Sequence, residues 1–284
     1  MPAFQNQATL SYNGISVTSN TVTGEIVDVL SVTKTAVPKT YTTSDEVTYV
    51  VNLINSGASP LTNLTLTDNL GTYTFGAGTA VPLTYMPESV AYFVNGVLQA
   101  APATASDRTL TVSGINVPAG GTATVVYRAD VNGFAPLAAG GTIVNTVSAS
   151  GDGINTPVTA TETVTAGGAP RLSISKSVAP TTVTENGTLT YTFVIENTGN
   201  TAADASANIS VSDVFNPALN PVAVTFNGTT WTEGTNYTYT PANGTFATVP
   251  GQITVPAATF VQNPTTGEWT VTPGTSELVV SGTV

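Results

Sequence analysis

Hydrophobic and polar residues alternate along most of this chain, as in the segments EVTYVVNLI, TATVVYRADV and TLTYTFVIE. Valine, isoleucine, threonine, tyrosine and phenylalanine dominate these runs, and such residues suit the half-buried, pleated surface of a β-strand. Turn-forming segments such as NSGASP, DGINTP and NTGN separate the runs. No segment has the 3.6-residue apolar period of a capped helix. The pattern therefore predicts an all-β protein built as sandwiches or barrels.

The alternating segments occur twice, in the same order. LSVTK, which ends at Lys34, matches LSISK, which ends at Lys176, and YVVNLINSG matches YTFVIENTG at the same spacing of 142 residues. NLTLTDNL around Asp68 matches NISVSDVF around Asp213, and PAGGTATVVYRADV matches PGTSELVVSGTV. An internal repeat of this length indicates two copies of one domain. We predict an N-terminal hairpin at 1–24, a complete domain at 25–166, a linker at 167–170 and a second domain at 171–284.

The repeated segments resemble the bacterial conserved-repeat domain, which is also called domain of unknown function eleven. The resemblance rests on the opening LSxxK, the NxG turn, the strand that contains Thr-Asp, the PGxS-type strand and the closing NTV strand, and it covers nearly the whole chain. It implies two tandem immunoglobulin-like β-sandwiches in a surface stalk or coat, without enzymatic activity. We therefore expect an extracellular protein on the surface of a bacterial cell or spore.

The two repeats differ at their ends. The first continues into a hairpin at residues 142–165, TIVNTVSASGDGINTPVTATETVT, whereas the second has no such segment before Val284. A matching segment, AFQNQATLSYNGISVTSNTVT, lies at residues 3–23, where Asn6 takes the place of Asn145. A sandwich without its last hairpin has unpaired strand edges, which favour association. We predict that the N-terminal hairpin completes a second domain by strand donation.

The predicted donor and acceptor lie in different molecules. The segment 24–29 spans at most about 20 Å, whereas a domain of this size is at least roughly 35 Å across. Donation to another chain is a head-to-tail contact that does not close on itself, so it generates a filament. A frayed terminal hairpin is the alternative. The predicted contact residues are apolar and would each contribute about 1.5–3 kcal/mol when buried, alanine excepted. They are Phe4, Ala8, Leu10, Tyr12, Ile15, Val17 and Val22.

Three polar residues fall on apolar strand faces, because side chains alternate with a period of two. In the first domain they are Lys34, Asp68 and Asn145. In the second they are Lys176 and Asp213, with Asn6 supplied by the donated hairpin. Buried charges are costly when they are alone, so each set is expected to form one cluster.

Two interpretations of these clusters stay open. One is an ion pair whose hydrogen bonds the asparagine completes. The other is an isopeptide bond, in which burial favours a neutral lysine amine and a protonated aspartic acid, and the amine attacks the carboxamide and expels ammonia. This constellation looks like that of Gram-positive pilin domains with self-formed isopeptide bonds. The bonds would join Lys34 to Asn145, and Lys176 to Asn6 of a neighbouring chain.

The composition narrows the possible functions. Only 8% of the 284 residues are charged, the net charge is −11, and there are six basic residues, which argues against a nucleic-acid surface. The chain has no cysteine and no histidine, so it cannot form disulfides, thiolate or imidazole metal sites or a Ser-His-Asp triad. We expect no cofactor and no metal. No apolar stretch approaches the ~18 residues of a membrane span, and the segment MPAFQNQATL has neither the basic nor the apolar region of a leader, so we expect neither feature.

We therefore predict a non-enzymatic subunit whose main partner is another copy of itself. An anchoring or capping protein is a further possible partner. The competing interpretation is an adhesin, in which loops of the second domain between about Trp231 and Trp269 bind a glycan or a protein. A carboxylate-based hydrolase would need paired acids in a cleft, and the sequence suggests no such pair outside the two aspartates of the clusters.

Overall fold

The structure, a computed structural model, describes residues 3–25, 27–76 and 78–284, and these residues form 28 β-strands and one 3-10 helix, Ala205–Ala207. This confirms the predicted all-β class, with a hairpin followed by two β-sandwiches. The chain divides into two compact units, and the second includes two short segments from within the first predicted domain. The first unit is Met1–Thr74, Thr79–Asn132 and Ile143–Val164, and the second is Phe75–Gly78, Gly133–Thr142 and Thr165–Val284. The predicted domain boundaries stay a prediction.

The N-terminal segment folds into a long hairpin of four short strands. They are β1 (Ala3–Asn6), β2 (Thr9–Tyr12), β3 (Ile15–Thr18) and β4 (Val22–Glu25). β1 pairs with β4 and β2 pairs with β3, both antiparallel. The turn between β2 and β3 contains Asn13 and Gly14, both with positive φ, as a tight hairpin turn requires.

Residues 30–166 contain fourteen strands. They are β5 (Leu30–Val37), β6 (Thr40–Tyr41), β7 (Glu46–Asn55), β8 (Leu61–Asp68), β9 (Tyr73–Phe75), β10 (Gly78–Ala80), β11 (Leu83–Tyr85), β12 (Ala91–Val94), β13 (Val97–Leu98), β14 (Ala103–Ser106), β15 (Leu110–Val117), β16 (Thr122–Val131), β17 (Thr142–Ser150) and β18 (Val158–Ala166). One sheet has the order β13-β12-β16-β7-β5, with β11 also on β16, and the other has the order β14-β15-β8-β17-β18-β6. β9 and β10 pair with each other.

The core of this first sandwich follows from strand alternation. In β7, for example, every second residue from Val47 to Leu53 is buried, and β16 and β17 show the same alternation. The buried side chains of the two sheets face one another. Within one sheet, Tyr49 of β7 and Tyr127 of β16 are directly opposite each other, and their rings stack with centroids 5.4 Å apart. The closing strand β17 contributes Ile143, Val147 and other residues that are almost completely inaccessible.

Residues 172–283 contain ten strands. They are β19 (Leu172–Ala179), β20 (Thr188–Asn197), β21 (Ser212–Val214), β22 (Val222–Phe226), β23 (Thr229–Thr230), β24 (Tyr237–Thr240), β25 (Thr245–Thr248), β26 (Thr259–Gln262), β27 (Trp269–Thr272) and β28 (Gly274–Thr283). One sheet has the order β19-β20-β28-β22-β23, the opposing one has the order β21-β25-β24, and β26 pairs with β27. The core of this second sandwich centres on Phe193, Phe215, Phe246 and Leu278.

Candidate functional site

The three polar residues predicted to cluster in the first sandwich lie on three different strands of its two sheets. Lys34 is on β5, whereas Asp68 on β8 and Asn145 on β17 belong to the opposing sheet. All three are buried. The ammonium of Lys34 donates a hydrogen bond to Oδ2 of Asp68, so the two charges form an ion pair inside the sandwich.

A tyrosine joins the ion pair to the asparagine. The hydroxyl of Tyr127 donates to Oδ2 of Asp68 at 2.6 Å, and Nδ2 of Asn145 donates to that hydroxyl at 3.2 Å. Oδ1 of Asn145 is buried and has no hydrogen-bond partner among the described residues. The cluster thus contains a potential nucleophile, an acid and an amide whose carbonyl oxygen is unpaired.

Burial sets the protonation of the cluster. Loss of hydration lowers the pKa of Lys34 from 10.5 to about 8, although the neighbouring Asp68 carboxylate opposes the shift. Burial also raises the pKa of Tyr127 well above its usual value, with Asp68 adding to the effect, so this phenol stays protonated. The lysine ammonium also lies 4.7 Å from the ring centroid of Tyr49 and 5.8 Å from that of Tyr127. These rings exclude water from the amine.

The second sandwich repeats two of the three polar residues. The ammonium of Lys176 on β19 donates to Oδ2 of Asp213 on β21. Lys176 also lies 4.6 Å from the ring centroid of Tyr191, which matches Tyr49 of the first repeat. The lysine side chain is 41% exposed, whereas that of Lys34 is 0% exposed. The predicted third member, Asn6, lies exposed in β1, where it is paired with Val22.

The sheet face around Lys176 is uncovered. Leu172 and Ile174, which precede the lysine on the same face of β19, are 41% and 55% exposed. The corresponding Leu30 of the first sandwich is 5% exposed. In the first sandwich β17 and β18 complete the sheet that faces β5. The uncovered face thus corresponds to the one that the closing hairpin covers in the first sandwich.

The strand that carries the aspartate also differs between the two sandwiches. β8 lies between β15 and β17, with Val147 opposite Asp68. β21 pairs only with β25 within the described part of the chain, so its other edge has no neighbouring strand. The sequence pattern predicts a strand throughout NISVSDVF, but β21 has three residues where β8 has eight. A strand with one neighbour has fewer ladder hydrogen bonds to fix its conformation.

The N-terminal hairpin has one apolar face and one polar face. Residues directly opposite in an antiparallel pair lie on the same face. Leu10 is opposite Val17, Tyr12 is opposite Ile15, and Asn6 is opposite Val22, so these residues and Phe4 form one face. The other face carries Gln5, Thr9, Ser11, Ser16, Thr18 and Thr23. Every named apolar residue is at least half exposed. Ala8, between β1 and β2, is also exposed.

The tryptophans that delimit the alternative binding loops occupy different positions. Trp231 is buried and stacks on Phe226 with a centroid separation of 5.0 Å. Trp269 begins β27 and is half-buried, and its backbone N–H donates to the carbonyl of Gly133. A buried tryptophan cannot stack on a sugar, so Trp231 itself offers no stacking surface for a glycan. The adhesin interpretation, in which loops between about Trp231 and Trp269 bind a glycan or a protein, stays a prediction.

Sequence reasoning missed the role of Tyr127. Its alternation on β16 places it in the core, and a core tyrosine is ordinary, so only its proximity to Asp68 and Asn145 reveals it. Its counterpart in the second sandwich is Val280, because Tyr127 is opposite Tyr49 and Val280 is opposite the matching Tyr191. In the sequence, the replacement of Tyr127 by Val280 between two otherwise matching strands was the feature that could have indicated it.

No protein-family model matches the sequence, and no curated protein matches it. Similar solved structures include BcpA, the major pilin subunit of Bacillus cereus, at 10% identity over 96% of this chain and 73% of that one, with a TM-score of 0.36. The pilus backbone RrgB from Streptococcus pneumoniae is similar at 11% identity over 86% of this chain and 55% of that one, with a TM-score of 0.34. The collagen-binding domain of a Staphylococcus aureus adhesin is similar at 14% identity over 49% of this chain and 99% of that one, with a TM-score of 0.30.

Within the described residues, no helix has the length and apolar character needed to span a lipid bilayer.

Proposed function

We propose that this chain is a structural subunit that assembles head to tail into an extracellular filament. The hairpin of one chain is the donor, and the uncovered second sandwich of the next chain is the acceptor. The observation that carries the proposal is the match between them: an exposed apolar hairpin face, and a sandwich without strands in the place where the first sandwich has such a hairpin.

The energetics support donation. Large apolar residues such as Leu10, Tyr12 and Ile15 are about half exposed in the hairpin. Burying each would contribute about 1.5–3 kcal/mol. The acceptor gains as well, because Leu172 and Ile174 would be covered. Backbone hydrogen bonds along β21 would add to this gain and would remove an open strand edge.

We also propose that the filament subunit is locked by Lys–Asn isopeptide bonds. A proton moves from the Lys34 ammonium to Asp68, which leaves a neutral amine. Nζ attacks Cγ of Asn145 while the protonated Asp68 stabilises the carbonyl oxygen. The attacking nitrogen then gives up one proton and the amide nitrogen takes up one, so that the C–N bond of the carboxamide breaks and ammonia leaves. In the same way, Lys176 and Asp213 would react with Asn6 of the incoming hairpin, so that each joint between chains becomes covalent.

Tyr127 has a positioning role in this scheme. Its hydroxyl holds the asparagine through Nδ2 and the aspartate through Oδ2, which orients the carbonyl of Asn145. Val280 cannot form these bonds in the second cluster, so we expect its bond to form more slowly.

The assembly is tested by two substitutions on opposite faces of β2. Leu10→Asp places a charge on the apolar face and should abolish growth of large particles, because burying an unpaired carboxylate costs more than the hairpin gains. Ser11→Asp adds the same charge to the polar face and should leave assembly almost unchanged. Light scattering against protein concentration measures both. Equal assembly by the two variants would refute strand donation by this face.

The covalent lock is tested by mass. The mass of the purified protein should be lower than the mass calculated from its sequence by one ammonia for each bond. In Asn145→Ala the difference should be smaller by one ammonia. Tyr127→Phe should delay the loss after synthesis by about tenfold or more, which corresponds to a hydrogen bond of about 1.4 kcal/mol in the transition state. Tryptic digests that contain only unlinked peptides of Lys34 and Asn145 would refute the bond.

The location follows from the proposed function. A filament of this kind works outside the cell, on the surface of a bacterial cell or of a spore, where an anchoring or capping protein would occupy its ends. Antibody labelling of intact cells and of spores distinguishes the two surfaces.

A further inference from the structure

The first sandwich contains, within one chain, the contact that the proposed assembly would make between two. There β17 lies antiparallel beside β8, with Val147 opposite Asp68 and Ala149 opposite Leu66. The sequence repeat links this contact to the acceptor, because Asp213 on β21 takes the place of Asp68. It also links the contact to the donor, because the segment Ala3–Ser11 aligns with β17 without a gap, at a constant offset of 139 residues.

We propose that the hairpin of one chain docks on the free edge of β21 in another chain in the register of β17 on β8. Ala8 then lies opposite Asp213, Thr9 opposite Ser212, and Leu10 opposite Val211. This inference rests on the proposed function, and it adds the partner strand and the residue-by-residue register.

Side-chain alternation supports this register. A slip of one residue turns every side chain of a strand to the other face of the sheet. In the proposed register the apolar face with Phe4 and Leu10 turns inward, toward the uncovered Leu172 and Ile174. A slip of one residue would instead direct Gln5 and the other polar residues of the hairpin toward that apolar surface.

The polar residues agree with the same register. In the first sandwich the asparagine lies two residues before the one opposite Asp68, and on the same face of β17. Asn6 lies two residues before Ala8, so it would enter the second sandwich beside the Lys176–Asp213 ion pair. A slip of two residues keeps the apolar face inward, but it places Asn6 either directly opposite Asp213 or four residues from that position. In both cases the arrangement of Asn145 relative to Asp68 is lost.

β21 can become longer when the hairpin binds to its free edge. Beyond β21, the backbone already runs beside β25, because the N–H of Thr248 donates to the carbonyl of Val211 at 2.9 Å. Val211 in turn donates its N–H to the Thr248 hydroxyl at 2.9 Å. A second neighbour would extend the ladder toward Ile209 and give β21 the length of β8.

Disulfide trapping tests the register, because the chain has no cysteine of its own. A chain with Thr9→Cys is mixed with a chain that carries Ser212→Cys, and the mixture is oxidised. Thr9 is exposed on the polar face of the hairpin, and Ser212 is exposed on β21. Opposite residues of this kind lie about 5.5 Å apart at Cα, within the span of a disulfide. We expect a disulfide-linked pair of chains on a non-reducing gel.

Two further combinations are the controls. Ser11 lies two residues along the hairpin strand from Thr9, so in this register it is about 7–8 Å from Ser212. Ser11→Cys with Ser212→Cys should therefore cross-link about tenfold less than Thr9→Cys with Ser212→Cys, or less still. Thr67→Cys with Ser148→Cys in one chain copies the joint inside the first sandwich, where these two residues are opposite each other, and should give an intramolecular disulfide.

The outcomes separate the register from the assembly. Filaments without the Thr9–Ser212 cross-link, or with more cross-linking from Ser11, overturn the register and leave the proposed function in place. If the protein forms neither filaments nor cross-links, both the register and the assembly are overturned. A chain with both Thr9→Cys and Ser212→Cys that closes on itself as a monomer would overturn the docking between chains and the head-to-tail assembly, because the hairpin would then complete its own chain.

Discussion

At the scale of single residues, the structure explains why a lysine is tolerated inside a sandwich. Asp68 neutralises Lys34, Tyr127 donates to the same carboxylate, and two tyrosine rings lie against the ammonium. Such a cluster does not stabilise the fold strongly by itself, because the desolvation of two buried charges offsets most of their attraction. A reaction that replaces the ion pair with an amide bond removes that cost.

The lowered pKa of Lys34 predicts how stability depends on pH. The folded state releases this proton near pH 8, whereas the unfolded state keeps it up to about 10.5. The unfolded state therefore binds more protons between these values, and the free energy of unfolding rises with pH by up to about 1.4 kcal/mol per unit. Buried tyrosines such as Tyr127 ionise near pH 10 when unfolded but not when folded, so they act in the opposite sense from the upper end of this range onward.

The measurement uses Asn145→Ala, which cannot form the bond and so keeps a titratable lysine. Urea unfolding of this variant between pH 7.5 and 9.5 should show the rise in stability. Adding Lys34→Met should remove it. A flat profile in the first variant would mean that the lysine is not buried as a titrating group.

Strand alternation in the sequence predicted Lys34, Asp68 and Asn145 as one cluster, because a period of two specifies which residues share a face. It could not predict that Tyr127 joins the cluster, because a tyrosine at an inward position packs in the core whether or not its hydroxyl binds a polar residue. It also could not predict that Lys176 would be 41% exposed, since that exposure depends on which strands cover the sheet.

At the scale of elements, β21 is the strand most altered by its surroundings. Its sequence matches that of β8, yet only Ser212–Val214 has strand conformation. The sequence therefore favours a longer strand here. We expect β21 to reach that length when a second strand pairs with its free edge, because β propensity depends strongly on context.

Hydrogen exchange should report this change. Assembly should increase the protection of amides in residues 209–214 by about tenfold or more, because a new ladder covers their free edge. Amides of β8, which already has two neighbouring strands, are the internal comparison and should change little. Unchanged protection of 209–214 in assembled material would place the contact elsewhere.

At the scale of the whole molecule, the repeat in the sequence predicted much of the architecture. The common order of strands, the position of each aspartate and the extra hairpin of the first repeat all follow from matching segments. The assignment of Phe75–Gly78 and Gly133–Thr142 to the second unit was not predicted. Strand alternation specifies sheets but carries no information on where loops between strands pack.

Head-to-tail growth is the property that distinguishes this account from that of a monomeric stalk or adhesin. In the proposed assembly each chain supplies one donor hairpin and one acceptor strand edge, and a heterologous contact of this kind extends without limit. Solutions of the protein should therefore contain particles whose length grows with concentration and whose width stays that of a single chain.

The most direct measurement is negative-stain electron microscopy of the purified full-length protein, with Leu10→Asp as the matched control. We expect thin, unbranched filaments from the native sequence and single particles from the variant. Single particles from the native protein over a wide range of concentrations, or filaments that persist in Leu10→Asp, would contradict head-to-tail strand donation.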